Sequence, residues 1–211
     1  WRGGSGPMKT QWARNDDPLL TDWKQACVEA GFGLTSDYNG EQPEGFGDSQ
    51  STIAGGRRCS AAYAYLHPAS GRKNLTIQTN ALASNVIMEG RRAVGVEYEQ
   101  NGQQISARAG REVILSGGVF NSPQLLMLSG IGPADHLREI GIEPVIDSPG
   151  VGKNLQDHLA VLVHYARTTG SPFQELMRFD RIALAMVRAF LFNSGPATVL
   201  PSGLHGYIKT R

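Results

Sequence analysis

The chain has almost no cysteine: Cys27 and Cys59 are the only two in 211 residues. Two thiols in a chain of this length build no disulfide framework. Both sit in apolar surroundings that read as helical, so they are expected to be buried and reduced, which favours a reducing, cytoplasmic location. The sequence also lacks an apolar run of bilayer length. Its longest, over residues 181–192, begins at Arg181 and is interrupted by Arg188, whereas a spanning helix needs about 20 apolar residues; no transmembrane segment is expected. Charge of one sign is missing too. Lys+Arg number 20 against Asp+Glu 19, for a net charge of +1, with no block or stripe of basic residues to track a phosphate backbone, which argues against nucleic acid as a partner.

Several chemical signatures are absent. No G-x-S-x-G occurs, so a self-contained α/β hydrolase with a nucleophile elbow ranks last among the candidate functions. His67, His136, His158, His164 and His205 include no pair at the i, i+4 spacing of a helical metal site, and no metal is expected. Gly130-Ile131-Gly132 and Gly150-Val151-Gly152 both lack the third glycine of a dinucleotide fingerprint. Asn74-Leu75-Thr76 matches a glycosylation sequon, but no secretion signal accompanies it. The opening Trp1-Arg2-Gly3-Gly4-Ser5-Gly6-Pro7 carries neither Met nor a leader, and reads as a chain cut from a longer one.

Glycine, by contrast, is abundant: 26 of 211 residues, about 12% against an average near 7%. The glycines gather at turns with Ser, Asn and Pro, which suits a backbone that approaches a large ligand closely. Asp17 and Pro18 predict a helix N-terminus, with Leu19, Leu20, Trp23, Cys27 and Ala30 at helical spacing before Gly31. Residues 32–56 carry almost no periodicity and read as a long loop of functional character. A short helix is expected from Ser60 to Leu66, stopped by Pro68. Period-two patterns predict strands at 75–79, 86–88, 93–98 and 105–109 in an antiparallel meander, with turns at Glu89-Gly90-Arg91 and Asn101-Gly102. A buried strand at 112–115 then runs through Ser116-Gly117-Gly118 into a helix from about Ser122 to Leu128. Next come a helix from Pro133 to Gly141 with Leu137 and Ile140 inward, a short strand at 144–147, and one long amphipathic helix from Phe173 to Phe192.

The stretch Ser116-Gly117-Gly118-Val119-Phe120-Asn121-Ser122-Pro123-Gln124-Leu125-Leu126-Met127-Leu128-Ser129-Gly130-Ile131-Gly132 carries the most information. Small residues at a strand end followed by a helix N-terminus are either a plain structural turn or a phosphate or dinucleotide contact. Its order of small-residue turn, Ser-Pro, paired aliphatics and Ser-Gly-aliphatic-Gly resembles the second signature of the glucose-methanol-choline (GMC) oxidoreductases, with Val119 in place of a usual small residue. Trp1-Arg2-Gly3 with Gly6-Pro7, Asp37-Tyr38-Asn39-Gly40, Gly45-Phe46-Gly47, Ala64-Tyr65-Leu66, 91–97 and Gly150-Val151-Gly152-Lys153-Asn154-Leu155-Gln156-Asp157-His158 agree in the same order, so the resemblance covers nearly the whole chain.

The resemblance implies an internal fragment, similar to bacterial choline- or alcohol-dehydrogenase-like members, of mixed α/β (α+β) class. It would combine part of a Rossmann-like FAD-binding domain containing the meander (71–132) with parts of a substrate-binding domain (1–70 and 149–211), joined by a connecting helix and strand (133–148). The parent would oxidise CH–OH groups of an alcohol by hydride transfer to FAD and pass electrons to an unknown acceptor. A non-catalytic flavin-fold binding or structural protein is the alternative. Cofactor contacts are implied at Ala83, through its backbone, and at Gly117, Gly118 and Ser122. Asp157 and His158 are implied in a loop near the substrate domain, where His158 is either part of a proton-linked network or a hydrogen-bonded loop residue. The family's phosphate loop and catalytic histidine have no match here, so no catalytic residue is expected in this chain. Choline-oxidising members typically carry a glutamate two residues after this histidine. Ala160 stands there instead, which counts against choline.

Overall fold

Asp17 opens the first helix as its residue type predicts. Its carboxylate accepts the Leu19 N–H at 3.0 Å, Pro18 takes the first position, where its missing N–H costs nothing, and α1 runs over Pro18–Glu29. The computed structural model describes residues 3–13, 17–199 and 203–209; the expected Trp1-Arg2 contribution lies outside them. The chain divides into two units, one made of residues 1–75 and 164–211, the other of 76–163.

In the first unit β1 (Gln11–Trp12) pairs antiparallel with β3 (Gln50–Ser51), and β2 (Gly45–Asp48) lies between them in sequence. β4 (Ile53–Ala54) and β5 (Arg57–Arg58) form a small hairpin. The stretch 32–56 is therefore not the long loop its composition suggests. Glycine supplies close approach there rather than freedom: a Cβ on Gly47 would lie 2.7 Å from the Thr35 carbonyl oxygen. Pro68 does not end the next helix. A π-turn over Ala62–Leu66 leads into α2 (His67–Ala69), and the widened turn accommodates the missing proline N–H. Cys27 and Cys59 are both buried free thiols, although Cys59 lies just outside the helix.

The second unit is the meander followed by two helices. β6 (Leu82–Glu89), β7 (Arg92–Gln100) and β8 (Gln103–Arg108) form an antiparallel sheet in sequence order. The Asn101-Gly102 turn holds both residues at positive φ, 53° and 74°, as a two-residue hairpin of this type requires. Residues 75–79, expected as a strand, form no ladder. They are held instead by Gln100, whose side-chain amide donates to the Thr79 carbonyl at 2.7 Å and whose side-chain oxygen accepts from Gln78 at 2.6 Å. Residues 112–115 also make no ladder, and Ile114 is 76% exposed: an apolar run becomes a strand only beside another strand, and none lies next to it among the described residues.

α3 spans Gly118–Leu128, so its start precedes the expected Ser122 and encloses Pro123. β9 (Ile131–Gly132) and β10 (Ile146–Asp147) pair in parallel around α4 (Ala134–Glu139). Leu137 is fully buried as expected, but Ile140 faces outward. Pro133 has no capping side chain to offer, and Asp147 supplies one from the other strand by accepting the Ala134 N–H at 3.0 Å.

Back in the first unit, the expected single helix at its C-terminal end is two. α5 (Pro172–Leu176) starts with a capping box at Ser171 and Gln174, the chain breaks at Met177-Arg178, and α6 covers Phe179–Phe192. Ala185 is the buried residue of α6, while Phe179, Phe190 and Phe192 face outward. β11 (Leu204–Tyr207) then pairs antiparallel with β2, and Tyr38 stacks on His205 at 5.3 Å. Further long-range contacts join the two segments of this unit, among them Arg167 with Asp17 at 2.6 Å, Ser49 Oγ donating to the Gly203 carbonyl at 2.6 Å, and Arg57 Nε donating to Asn193 Oδ1 at 2.7 Å.

Candidate functional site

Four of the residues singled out from the sequence lie on two packed elements of the second unit. Ala83 is on β6 opposite Tyr98, beside a register shift between Ala83 and Asn85. The irregular stretch is held by side chains: Ser84 Oγ donates to the Glu97 carbonyl at 3.3 Å and accepts from Gln104 Nε2 at 2.8 Å.

Gly117 and Gly118 form the start of α3. Gly118 has φ +84°, and a Cβ there would meet nothing within 4 Å, so the glycine is required by its backbone conformation and leaves open space above it. Ser122 is not the helix opener. It sits in the second turn, and its Oγ accepts the Gly117 N–H at 2.9 Å, closing the helix start from inside. Pro123 is tolerated just after it because Val119, whose carbonyl loses a partner, is exposed to water. Ile114, Val119 and Phe120 leave an apolar, open surface around this glycine turn.

β6 and α3 are joined at the far end of the helix. Ser129 Oγ donates to the Leu125 carbonyl at 2.6 Å and accepts the Val86 N–H at 2.8 Å. Gly130 follows with φ +76°, and a Cβ on it would come within 2.7 Å of the Glu143 carbonyl oxygen. The Ser-Gly-Ile-Gly tetrad is thus a packing device, in which Ser129 ties the helix to the strand and Gly130 admits the backbone entering β10. Periodicity gives no sign of the Ser129 contact, because its partner lies 43 residues away.

Asp157 and His158 lie on an exposed stretch of the same unit. Asp157 Oδ1 accepts the backbone N–H of His158 at 2.7 Å, so the carboxylate holds the main chain at this point. Among the described residues no hydrogen bond joins either residue to Ala83, Gly117, Gly118 or Ser122, and no group of three His, Cys, Asp or Glu side chains is arranged to hold a metal. The first unit carries an open groove of about 860 Å³ between α5, α6 and residues 193–199, lined by Phe173, Leu176, Met177, Ile182 and Met186. Arg181 at its edge pairs with Glu175 at 2.6 Å. The amphipathic spacing of 173–192 reveals the apolar faces but not the break that shapes the groove.

The family model described as GMC oxidoreductase matches residues 4–160. The chain belongs to the GMC oxidoreductase family. It is 53% identical over 168 residues to the mitochondrial choline dehydrogenase of Homo sapiens, covering 80% of this chain and 28% of that protein. It is 47% identical over 196 residues to an oxygen-dependent choline dehydrogenase of Brucella suis, covering 92% of this chain and 35% of the relative. This GMC chain therefore spans about a third of the length of such relatives. Among solved structures it is similar to a formate oxidase, with TM-score 0.82 and 29% identity over 98% of this chain and 37% of the other. It is also similar to a FAD-dependent oxidoreductase from Chaetomium thermophilum, with TM-score 0.80 and 27% identity over 97% of this chain and 37% of the other. The mixed helix-and-strand architecture expected from the sequence is the one these oxidoreductases share. Among the described residues no helix is long and apolar enough to cross a membrane.

Proposed function

We propose that this chain is the middle portion of a FAD-dependent oxidoreductase that oxidises the CH–OH group of a small alcohol and passes electrons to a separate acceptor. The observation that carries the reading is the fold of 116–132: a glycine turn open to solvent at one end of α3, and Ser129 and Gly130 fixing the other end against β6 and β10. The exposed turn suits a large flat cofactor. Gly118 leaves room above the backbone, Ile114, Val119 and Phe120 offer apolar contact, and a helix N-terminus favours the negative charge of a phosphate. Residues 71–132 would then be the FAD-binding part, with backbone near Ala83 and at Gly117 and Gly118 against the cofactor and Ser122 holding the turn. Residues 1–70 and 149–211 would be parts of the substrate-binding domain, joined by the helix and strand of 133–148.

Bound FAD would supply the hydride-accepting chemistry. The chain's own residues shape and orient: β6 and α3 present backbone, and Asp157 fixes the main chain at His158. No residue here is assigned the part of the base. Two buried, unpaired thiols fit a reducing compartment.

The names of the relatives favour choline as the alcohol, whereas Ala160 disfavours it. A trimethylammonium cation leaving water needs an opposite charge close by, since at 4 Å an ion pair is worth roughly 4 kcal/mol at an effective dielectric constant of 20 and a methyl group offers nothing comparable. An uncharged alcohol is the better fit. The test is purification of the complete protein carrying residues 1–211, with flavin absorbance and alcohol-dependent dye reduction as readouts. A yellow protein reducing dye with an alcohol supports the reading, and a colourless protein inert to alcohols ends it.

A further inference from the structure

We infer that Ser129 is a positioning residue for the cofactor: its hydroxyl sets the placement of the β6 edge against which the flavin nucleotide lies. The inference rests on the proposed flavin reading and deepens it. Among the described residues β6 is the outer strand of its sheet and β7 alone fixes it by a ladder, which slips twice, between Ala83 and Asn85 and between Ile87 and Met88. A strand interrupted on both sides of Val86 has a loosely determined path.

The free edge is pinned at the residue between the two slips. Val86 is 4% exposed and Ser129 6%. The Ser129 hydroxyl has a single proton, which goes to the Leu125 carbonyl at 2.6 Å, and this leaves a lone pair to receive the Val86 N–H at 2.8 Å. Both partners are backbone groups, so the hydroxyl links the last turn of α3 to the strand without depending on any other side chain. Ala83 lies three residues before Val86, beyond one bulge. A backbone contact to a cofactor has no side chain with which to adapt, so its affinity depends on where the main chain runs. Removing the hydroxyl leaves the buried Val86 N–H without a partner, and the strand must shift or admit water to satisfy it.

The experiment uses the complete protein carrying this chain, comparing wild type with Ser129→Ala, Ser129→Thr, Ser129→Cys and, as a control for loss of packing alone, Leu137→Val. The readouts are the FAD dissociation constant after reversible removal of the flavin, the visible circular dichroism of the bound flavin, and Tm. S129A is expected to weaken FAD binding about tenfold and to alter the flavin dichroism. S129T, which retains a hydroxyl, should stay within about twofold of wild type, and L137V should lower Tm with no change in FAD affinity. Unchanged FAD affinity in S129A, or equal losses in S129A and L137V at matched Tm, would overturn the inference. If S129A does not fold, S129C and S129T decide: the weakly accepting thiol must lose affinity and the hydroxyl keep it, and equal affinities overturn the proposal. Failure of the flavin reading itself is separate, because wild type would then bind no FAD.

Discussion

Arg167 Nη1 lies 2.6 Å from the carboxylate of Asp17, a residue 150 positions earlier that also caps α1 through the Leu19 N–H. The hydrogen bond from Arg167, followed by that from Leu19, holds the Asp17 carboxyl below its ordinary value of 3.8. One carboxylate thus serves helix initiation and long-range closure together. Because the native form binds its proton less readily than the unfolded chain, the stabilisation is complete above about pH 4 and disappears as pH falls through the lowered native value. In the complete protein Tm is expected to fall in the order wild type, Asp17→Asn, Asp17→Ala near neutral pH, since asparagine still caps but carries no charge. The gap between wild type and D17N should close as pH falls through the lowered native value. A gap that is constant over the whole range would contradict this.

Gly130 combines a left-handed backbone with a carbonyl oxygen 2.7 Å from the site of a Cβ, whereas Gly90, at φ +60°, has open space around it. Gly130→Ala should therefore destabilise by about 2 kcal/mol or more, and Gly90→Ala by roughly 1 kcal/mol, the cost of backbone conformation alone. Urea unfolding of the two variants measures the difference, and equal midpoints would show that the neighbouring strand yields freely.

Ala160 leads to a substrate prediction. The complete protein should prefer uncharged alcohols to choline in kcat/KM, and Ala160→Glu should improve choline about tenfold or more while improving an uncharged alcohol little. Steady-state kinetics with both substrates decide it; a clear preference of wild type for choline would show that the cation is met elsewhere.

Residues 1–211 expressed alone should bind no stoichiometric FAD and oxidise no alcohol. The sequence carries no G-x-G-x-x-G phosphate loop, the element that grips a pyrophosphate in such folds. Leu159 at 94% and Phe179 at 88% exposure belong to extensive apolar surface, which promotes association. Size-exclusion chromatography with absorbance at flavin wavelengths is the check, and a yellow monomer with near one equivalent of flavin would refute the expectation.

The elements legible in the sequence are those whose causes are local. Asp17-Pro18 defines α1, Asn101-Gly102 dictates its hairpin, and Leu137 is buried where the helical spacing puts it. The misread elements depend on distant neighbours. Among the described residues, 112–115 have a strand's composition without a strand beside them, 32–56 gain order by pairing with segments such as β1 and β11, and Ile140 follows the helical period but has no surface to cover it. At the candidate site the glycine turn and its helix were visible, while Ser122's inward bond to Gly117 and Ser129's bond to Val86 were not. A hydroxyl's partner depends on the fold, and no pattern in residue order encodes it.

The division of the chain also dictates an order of events during synthesis. Residues 76–163 are one uninterrupted stretch, with its hairpins and its β9–α4–β10 crossover closed over short distances, so its contacts become available as soon as it leaves the ribosome. The other unit has no such option. Its closing contacts, Asp17 with Arg167, Ser49 with Gly203 and Arg57 with Asn193, join residues 150, 154 and 136 apart. Its first 75 residues must wait, incomplete, while the inserted stretch emerges and compacts.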